Sequence, residues 1–312
     1  MKTKLTQIIL LLVLSAVASA QGHYKAIRIS TFPSQTIGLA QIGPYVLANA
    51  ESGVTLAALN ANSNGYYAGQ DIYYNVWEGT AAGITNLAPL VGSYAQIWAI
   101  NDNGTMVGYS EAGIYSDDYQ AFVIEGGVVT RIPTLGGLSD TAQAVSTNNL
   151  VAGHSMKADG IIYAIFWNGS TVTDLGSFGG TYYSSSNPAR TFASDAWGVN
   201  SLGEVVGSSW MTNGEQRAFL WSGGIMYNLH TLGGTFSSAA AINDSGVVVG
   251  TAALANGIRH GFVHENSTMY DLNNLISGLP SGVYINATSQ INNSGQILAT
   301  GSDGGTYLLS PF

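Results

Sequence analysis

Ala-Ile-Asn-Asp-Asn-Gly-Thr-Met-Val-Gly (99–108) and Ala-Ile-Asn-Asp-Ser-Gly-Val-Val-Val-Gly (241–250) are two copies of one phrase. Looser copies are Gly-Val-Asn-Ser-Leu-Gly-Glu-Val-Val-Gly (198–207), Gln-Ile-Asn-Asn-Ser-Gly-Gln-Ile-Leu-Ala (290–299) and Ala-Val-Ser-Thr-Asn-Asn-Leu-Val-Ala-Gly (144–153), with a worn one around Asn49–Ala57. Their pivots are Gly53, Gly104, Asn149, Gly203, Gly246 and Gly295, spaced by 51, 45, 54, 43 and 49 residues. Repetition in that range means an array of like modules, here numbered one to six.

The phrase reads as a β-hairpin. Ile/Val-Asn ends one strand, the next residues turn, and Val-Val-Gly returns. A type I turn followed by a left-handed residue takes Gly at that last position, or Asn, which tolerates positive φ. Asn149 stands where the other copies have Gly, a substitution that geometry permits. The recurrent Asn101, Asn200, Asn243 and Asn292 suit an Asx-turn, in which the side chain hydrogen-bonds its own turn backbone. A calcium loop would need several carboxylates, and most copies carry one or none.

A second phrase follows each hairpin: Ala-Phe-Val-Ile-Glu-Gly-Gly (121–127), Ile-Phe-Trp-Asn-Gly (165–169), Ala-Phe-Leu-Trp-Ser-Gly-Gly (218–224), and weaker forms at 76–79 and 261–266. Phe122/Ile124, Ile165/Trp167 and Phe219/Trp221 alternate with period two, as in a strand with one face in a core. A tight turn then starts a strand ending near Leu175 or Leu229, and a Leu-Gly-Gly or Phe-Gly-Gly link leads onward. Four short strands in about 48 residues match the size of a propeller blade. The expected fold is all-β: a six-bladed β-propeller of four-stranded antiparallel blades over residues 21–312. The segment Tyr24–Ser30 resembles a last strand without its partner, and Tyr307–Ser310 a third strand without its follower. Their antiparallel pairing is expected to close the ring.

Lys2 and Lys4, the apolar run Ile8–Val17 and Ala18-Ser19-Ala20 read as a cleavable export signal over 1–20. The run is too short for a membrane span. The 312-residue chain has no cysteine, so disulfides and thiolate metal sites are excluded. Charged residues make up 9%, against roughly 25% in ordinary globular proteins. Without the two signal lysines, 7 basic residues face 18 acidic ones. That balance argues against nucleic acid and against anionic membrane surfaces as partners. The chain is expected in the periplasm or outside the cell, as a monomer.

The alternation of Ala-x-x-Ile-Asn-x-x-Gly-x-Val-Val-Gly with Ala-Phe-Leu-Trp-x-x-Gly and Leu-Gly-Gly resembles the bacterial extracellular HAF repeat family. The resemblance covers nearly the whole chain after the signal and is strongest in modules two, four and five. It implies export and a repeat fold, and brings no catalytic residues with it. The His-Ala-Phe of the name is degraded, with His260-Gly261-Phe262 nearest.

Because strand direction alternates, the Asn-Gly and Trp-x-Gly turns share one end of the modules. The links of variable length share the other, and variable loops on a rigid scaffold are where function concentrates. Candidate binding residues there are Tyr66, Tyr67, Tyr115, Asp117, Asp118, Tyr119, Tyr182, Tyr183, Arg190 and Trp210. Such aromatics offer apolar area with a polar tip to a glycan or protein ligand, although tyrosines also cover loop backbone. No nucleophile elbow, phosphate loop or His-Glu-x-x-His occurs. His260 and His264 lie on one strand face but about 13 Å apart, too far for one metal ion. No catalytic residue, metal site or cofactor is therefore assigned. Acids such as Glu111, Asp117, Asp118, Asp195 and Glu215 leave room for a propeller hydrolase or lyase acting on polysaccharide. The low charge also suits a purely architectural surface protein.

Overall fold

The computed structural model describes residues 24–30, 56–61, 67–71, 76–80, 83–87, 94–111, 118–183 and 190–312. The signal region, Asn49–Gly53 and the loops carrying Tyr66, Tyr115 and Asp117 lie outside the described residues.

The chain is all-β. Strand β1 is Tyr24–Ser30. Module one contributes β2–β5 (Leu56–Ala61, Tyr67–Asp71, Val76–Thr80, Gly83–Asn86) and module two β6–β9 (Ala95–Ile100, Met106–Glu111, Tyr119–Glu125, Val128–Arg131). Module three holds β10–β13 (Gly136–Val145, Val151–Lys157, Ile161–Trp167, Val172–Asp174), followed by the short pair β14 (Tyr182–Tyr183) and β15 (Thr191–Phe192). Module four is β16–β19 (Ser194–Val199, Val205–Trp210, Gln216–Ser222, Ile225–Asn228) and module five β20–β23 (Gly233–Ile242, Val248–Leu254, Arg259–Glu265, Thr268–Asp271). A 3-10 turn at Leu272–Asn274 and β24 (Ile276–Ser277) lead to module six, β25–β27 (Ile285–Ile291, Ile297–Gly301, Thr306–Pro311).

Within each of modules one to five the four strands pair antiparallel in chain order. In module one the first hairpin joins Leu56–Ala61 to Tyr67–Asp71 with Leu59 opposite Gly69, as Ile97 is opposite Gly108 in module two, so the copy placed around Asn49–Ala57 with its pivot at Gly53 is not this hairpin. Module six obtains its fourth strand from the start of the chain. β1 pairs antiparallel with β27 in the register Lys25↔Ser310, Ala26↔Leu309, Ile27↔Leu308 and Arg28↔Tyr307. That is the match expected between Tyr24–Ser30 and Tyr307–Ser310. β1 also meets β24 on its other edge, in parallel.

Two expectations are refined. The Gly-Gly pairs at 136–137 and 233–234 are not links, because each opens the first strand of the next module. The segment 181–192, read as a loop, instead adds β14 and β15 to the sheet edge, with Ile161↔Thr191 in parallel.

Each core lies between successive modules. Ala68 of module one packs with Ile97, Met106, Phe122 and Ile124 of module two. Val107, Ala121 and Val123 meet Ala142, Val151, Ile165 and Trp167 of module three. Ala152 and Ala164 meet Ala196, Val205 and Phe219, and Val206 and Ala218 meet Ala239, Val248 and Phe262. Val249 and Val263 meet Ile285, Ile297 and Tyr307 beside Tyr24 and Ala26. The Ala-Phe phrase follows from period two: in module two Phe122 fills the interface behind and Ala121 lets the next sheet approach. In module five Gly261 replaces that Ala, since a Cβ there would come within 2.7 Å of Ile285 Cγ2.

The last glycine of the repeated phrase has a similar origin. A Cβ on Gly108, Gly153, Gly207 or Gly250 would lie 1.8–2.2 Å from the carbonyl oxygen of Gln96, Thr141, Asp195 or Ser238. At each of these places the first strand carries a register shift, between 97 and 99, 142 and 144, 196 and 198, or 239 and 241. A bulge presses the two backbones together, and only glycine fits.

Candidate binding site

At the Asn-turn end, the repeated Asn does two jobs. Its Oδ1 accepts from the backbone N–H groups two and four residues ahead: 103 and 105 for Asn101, 245 and 247 for Asn243. Its Nδ2 reaches the next module. Asn101 donates to Ser146 O (2.7 Å), Asn200 to Asn243 O (3.1 Å) and Asn243 to Asn292 O (3.2 Å). Module three has Ser146 in that place, too short to reach onward, and Asn148 donates instead to Ser201 O. Asn149 adopts the left-handed φ of 65° expected of it. Burial alone would raise the Asp244 pKa, but hydrogen bonds from Ser201 and Asn293 outweigh it and hold the carboxyl below its usual range. The turns surround a depression of about 510 Å³ lined by modules two to six, with Trp98 and Trp197 on its wall.

The opposite end is irregular. Here the structure brings Tyr182 onto Trp210, stacked at 4.6 Å and 12°. Both line a cavity of about 310 Å³ with Phe192, Asp195, Trp197 and Gln216. Trp197 is 40% exposed and Tyr182 42%. Asp195 is set from behind: its Oδ1 accepts from Gln143 Nε2 (2.8 Å) and lies 2.9 Å from His154 Nδ1. His154 and Gln143 are themselves buried, and His154 Nε2 and Gln143 Oε1 have no partner. Gln216 donates its Nε2 to Ser208 Oγ at 2.7 Å.

The other candidates separate. Arg190 lies over the Tyr119 ring at 4.8 Å, a second cluster joined through Tyr109, whose hydroxyl donates to Gln96. Tyr183 is 71% exposed beside the first cluster. Asp118 is half-buried, and Tyr67 opens β3. Tyr66, Tyr115 and Asp117 lie outside the described residues. Among the acids, Asp195 alone of the described ones lines the cavity, while Glu215 is held by Arg217 and Asn213. His260 bonds Asp271 at 2.7 Å, and burial lowers the His264 pKa, with His230 adding to the effect. Among the described residues no cluster of three or more His, Asp or Glu could hold a metal ion, and no helix is long and apolar enough to cross a membrane.

Gln143, His154 and Trp197 did not stand out in the sequence. Aligning the modules on their turn residue would have marked them. Trp98, Gln143, Trp197, Ala240 and Ser289 share one position, three before that residue, and Tyr109, His154, Ser208, Thr251 and Thr300 share another, just after the phrase. Both columns vary where their neighbours repeat.

A third position breaks pattern inside an interface. Ser194 and Ser237 stitch adjacent modules, each Oγ accepting from the Ala164 or Ala218 N–H (2.9 Å) and donating to a carbonyl of the same module. The corresponding residue in module three is Asp140, 1% exposed, with neither carboxyl oxygen in a hydrogen bond of good geometry. Burial pushes its pKa up to about 6, against opposing contributions from Ser155, His154 and the Met156 backbone.

No protein-family model matches the chain, and no curated protein matches it. Among solved structures it is similar to the β-propeller domain of the Trilobed protease from Pyrococcus furiosus, with TM-score 0.46 and 11% identity over 70% of this chain and 67% of that one. It is also similar to a gluconolactonase from Xanthomonas campestris, with TM-score 0.41 and 11% identity over 92% and 97% of the two chains. A catalytically inactive virginiamycin B lyase from Staphylococcus aureus gives TM-score 0.44 and 12% identity over 86% and 84%. The architecture described above rests on strand pairing and not on these likenesses.

Proposed function

We propose that this chain is an exported six-bladed β-propeller of the HAF-repeat type, closed by β1 on β27, that binds a glycan or protein ligand without acting on it chemically. Radial arrangement is supported by the five first strands that border one central depression. It is supported also by β1, which precedes module one in the chain yet completes the sheet of module six. The observation that carries the binding role is the Tyr182–Trp210 cavity with its anchored carboxylate. Exposed aromatic faces around a few fixed polar atoms are the usual make-up of a ligand pocket. The hydrolase reading would call for a second carboxylate across from Asp195, and Glu215 is bound elsewhere. The signal-like residues 1–20 support export.

The test is retention of the purified mature protein on glycan and peptide arrays, beside the double variant Tyr182→Ala/Trp210→Ala. Wild type should be retained by one class of ligand and the variant by none. The variant's melting temperature should stay within about 3 °C, because half-exposed rings contribute little to stability. Turnover of the retained ligand, or retention that ignores the double substitution, would overturn the reading.

A further inference from the structure

We propose that the Tyr182–Trp210 cavity is a site for an organic ammonium group, with Asp195 Oδ2 as its counter-ion and the surrounding rings as its wall. The inference rests on the binding role proposed above and adds the chemical class of the ligand. Four aromatic residues, Tyr182, Phe192, Trp197 and Trp210, meet in one cavity of about 310 Å³. An aromatic face carries negative quadrupole charge and attracts a desolvated cation.

The polar atoms left open in the cavity point the same way. Both donors that reach Asp195, Gln143 Nε2 and His154 Nδ1, converge on Oδ1. Among the described residues no hydrogen bond reaches Oδ2, and Asp195 lines the cavity. Gln216 has committed its Nε2 to Ser208, so its Oε1 is what it offers a ligand. The one charged group lining the cavity is a carboxylate, so a carboxylate or phosphate ligand would meet like charge there, with only neutral hydroxyl and indole donors to offset it.

Nearby cations do not neutralise the site. Arg217 is bound by Glu215 and the Thr235 carbonyl, and Arg190 lies over Tyr119. Gln143 Nε2 and His154 Nδ1 lie 2.8 Å from one another and both reach the same oxygen of Asp195, so neither covers Oδ2. The excess of acidic over basic residues across the whole chain reinforces attraction of a cation over distance.

Isothermal titration calorimetry with four small probes tests this: choline, its uncharged isostere 3,3-dimethylbutanol, n-butylammonium and methyl glucopyranoside. An ammonium probe should bind at least about tenfold more tightly than the isostere. Asp195→Asn should bring that pair within about twofold, and Trp210→Ala should remove binding while the melting temperature holds. Choline ahead of butylammonium assigns a quaternary ammonium as the source, and parity assigns a primary amine such as a lysine or an amino sugar. Equal binding of choline and its isostere, or binding of the glucopyranoside alone with loss in Trp210→Ala, would overturn the ammonium class and keep the cavity as a binding site. Silence of all four probes, together with array retention that survives the Tyr182→Ala/Trp210→Ala substitution, would overturn both readings.

Discussion

The two ends of the same sheets follow opposite rules. At the Asn-turn end, one residue type at one position closes a hairpin and hooks the next module, and the copies differ little. At the other end the corresponding columns hold Tyr109, His154, Ser208 and Thr251, or Gln96, Thr141, Asp195 and Ser238, and chain lengths between strands vary. Repetition marks what every interface needs. Departure from repetition marks where one interface does something its neighbours do not. Three comparisons sharpen that division.

The largest effect belongs to the repeated phrase itself. Gly207→Ala should destabilise by more than about 3 kcal/mol, because the new Cβ would sit 2.0 Å from the Asp195 carbonyl oxygen and both backbones would have to move. Denaturant unfolding measures it, and a loss below about 1 kcal/mol would contradict the close approach of β16 and β17. Asn243→Ala comes next. It orphans the N–H groups of Ser245 and Val247 and frees the Asn292 carbonyl, with an expected loss of about 2–3 kcal/mol. Thermal unfolding of this variant beside Ser146→Ala separates the hook from the turn, since the Ser146 hydroxyl bonds only within its own turn.

The third effect has the opposite sign. The Asp140 pKa rises from 3.8 unfolded to about 6 folded. The native state therefore holds its proton more tightly, and this residue's share of stability is full below about pH 4. It falls as the pH climbs from 4 to 6 and stays lost above. Asp140→Ser, restoring the stitch of Ser194 and Ser237, should gain about 1–3 kcal/mol at pH 7 and almost nothing at pH 3.5. Unfolding midpoints of both proteins across that range supply the check. A variant less stable at pH 7 would mean that Asp140 has a partner the serine cannot replace.

Much of the architecture was legible because the turn chemistry is local. Gly104, Asn149, Gly203 and Gly246 all take positive φ, and Asn101 accepts from its own backbone as a sequence reading expects. The end strands, too, announced themselves by lacking partners. What stayed hidden depends on register. The role of Gly207 needs the bulge at Ala196–Gly198, which no local pattern encodes. The reach of Asn243 to Asn292 needs the neighbouring module in place. Of the candidate site, Tyr182 and Trp210 were readable as aromatics in variable links. Their cavity owes its charge to Asp195, and Asp195 owes its pose to Gln143 and His154 from another module. Contacts across modules between residues 41 and 52 positions apart leave no trace in short-range spacing.

The sheet that joins β1 to β27 also fixes an order of events. Its strands come from the two extremes of the described chain, nearly 280 residues apart, and bringing such distant segments together carries an entropy penalty of about 5 kcal/mol beyond a constant. Modules two to five can each assemble from neighbouring sequence, whereas β1 finds its neighbours only once β24 and then β27 have been made. During synthesis β1 therefore waits with its edges open while the modules between are built, and the sheet it belongs to is the last of the described sheets to be completed.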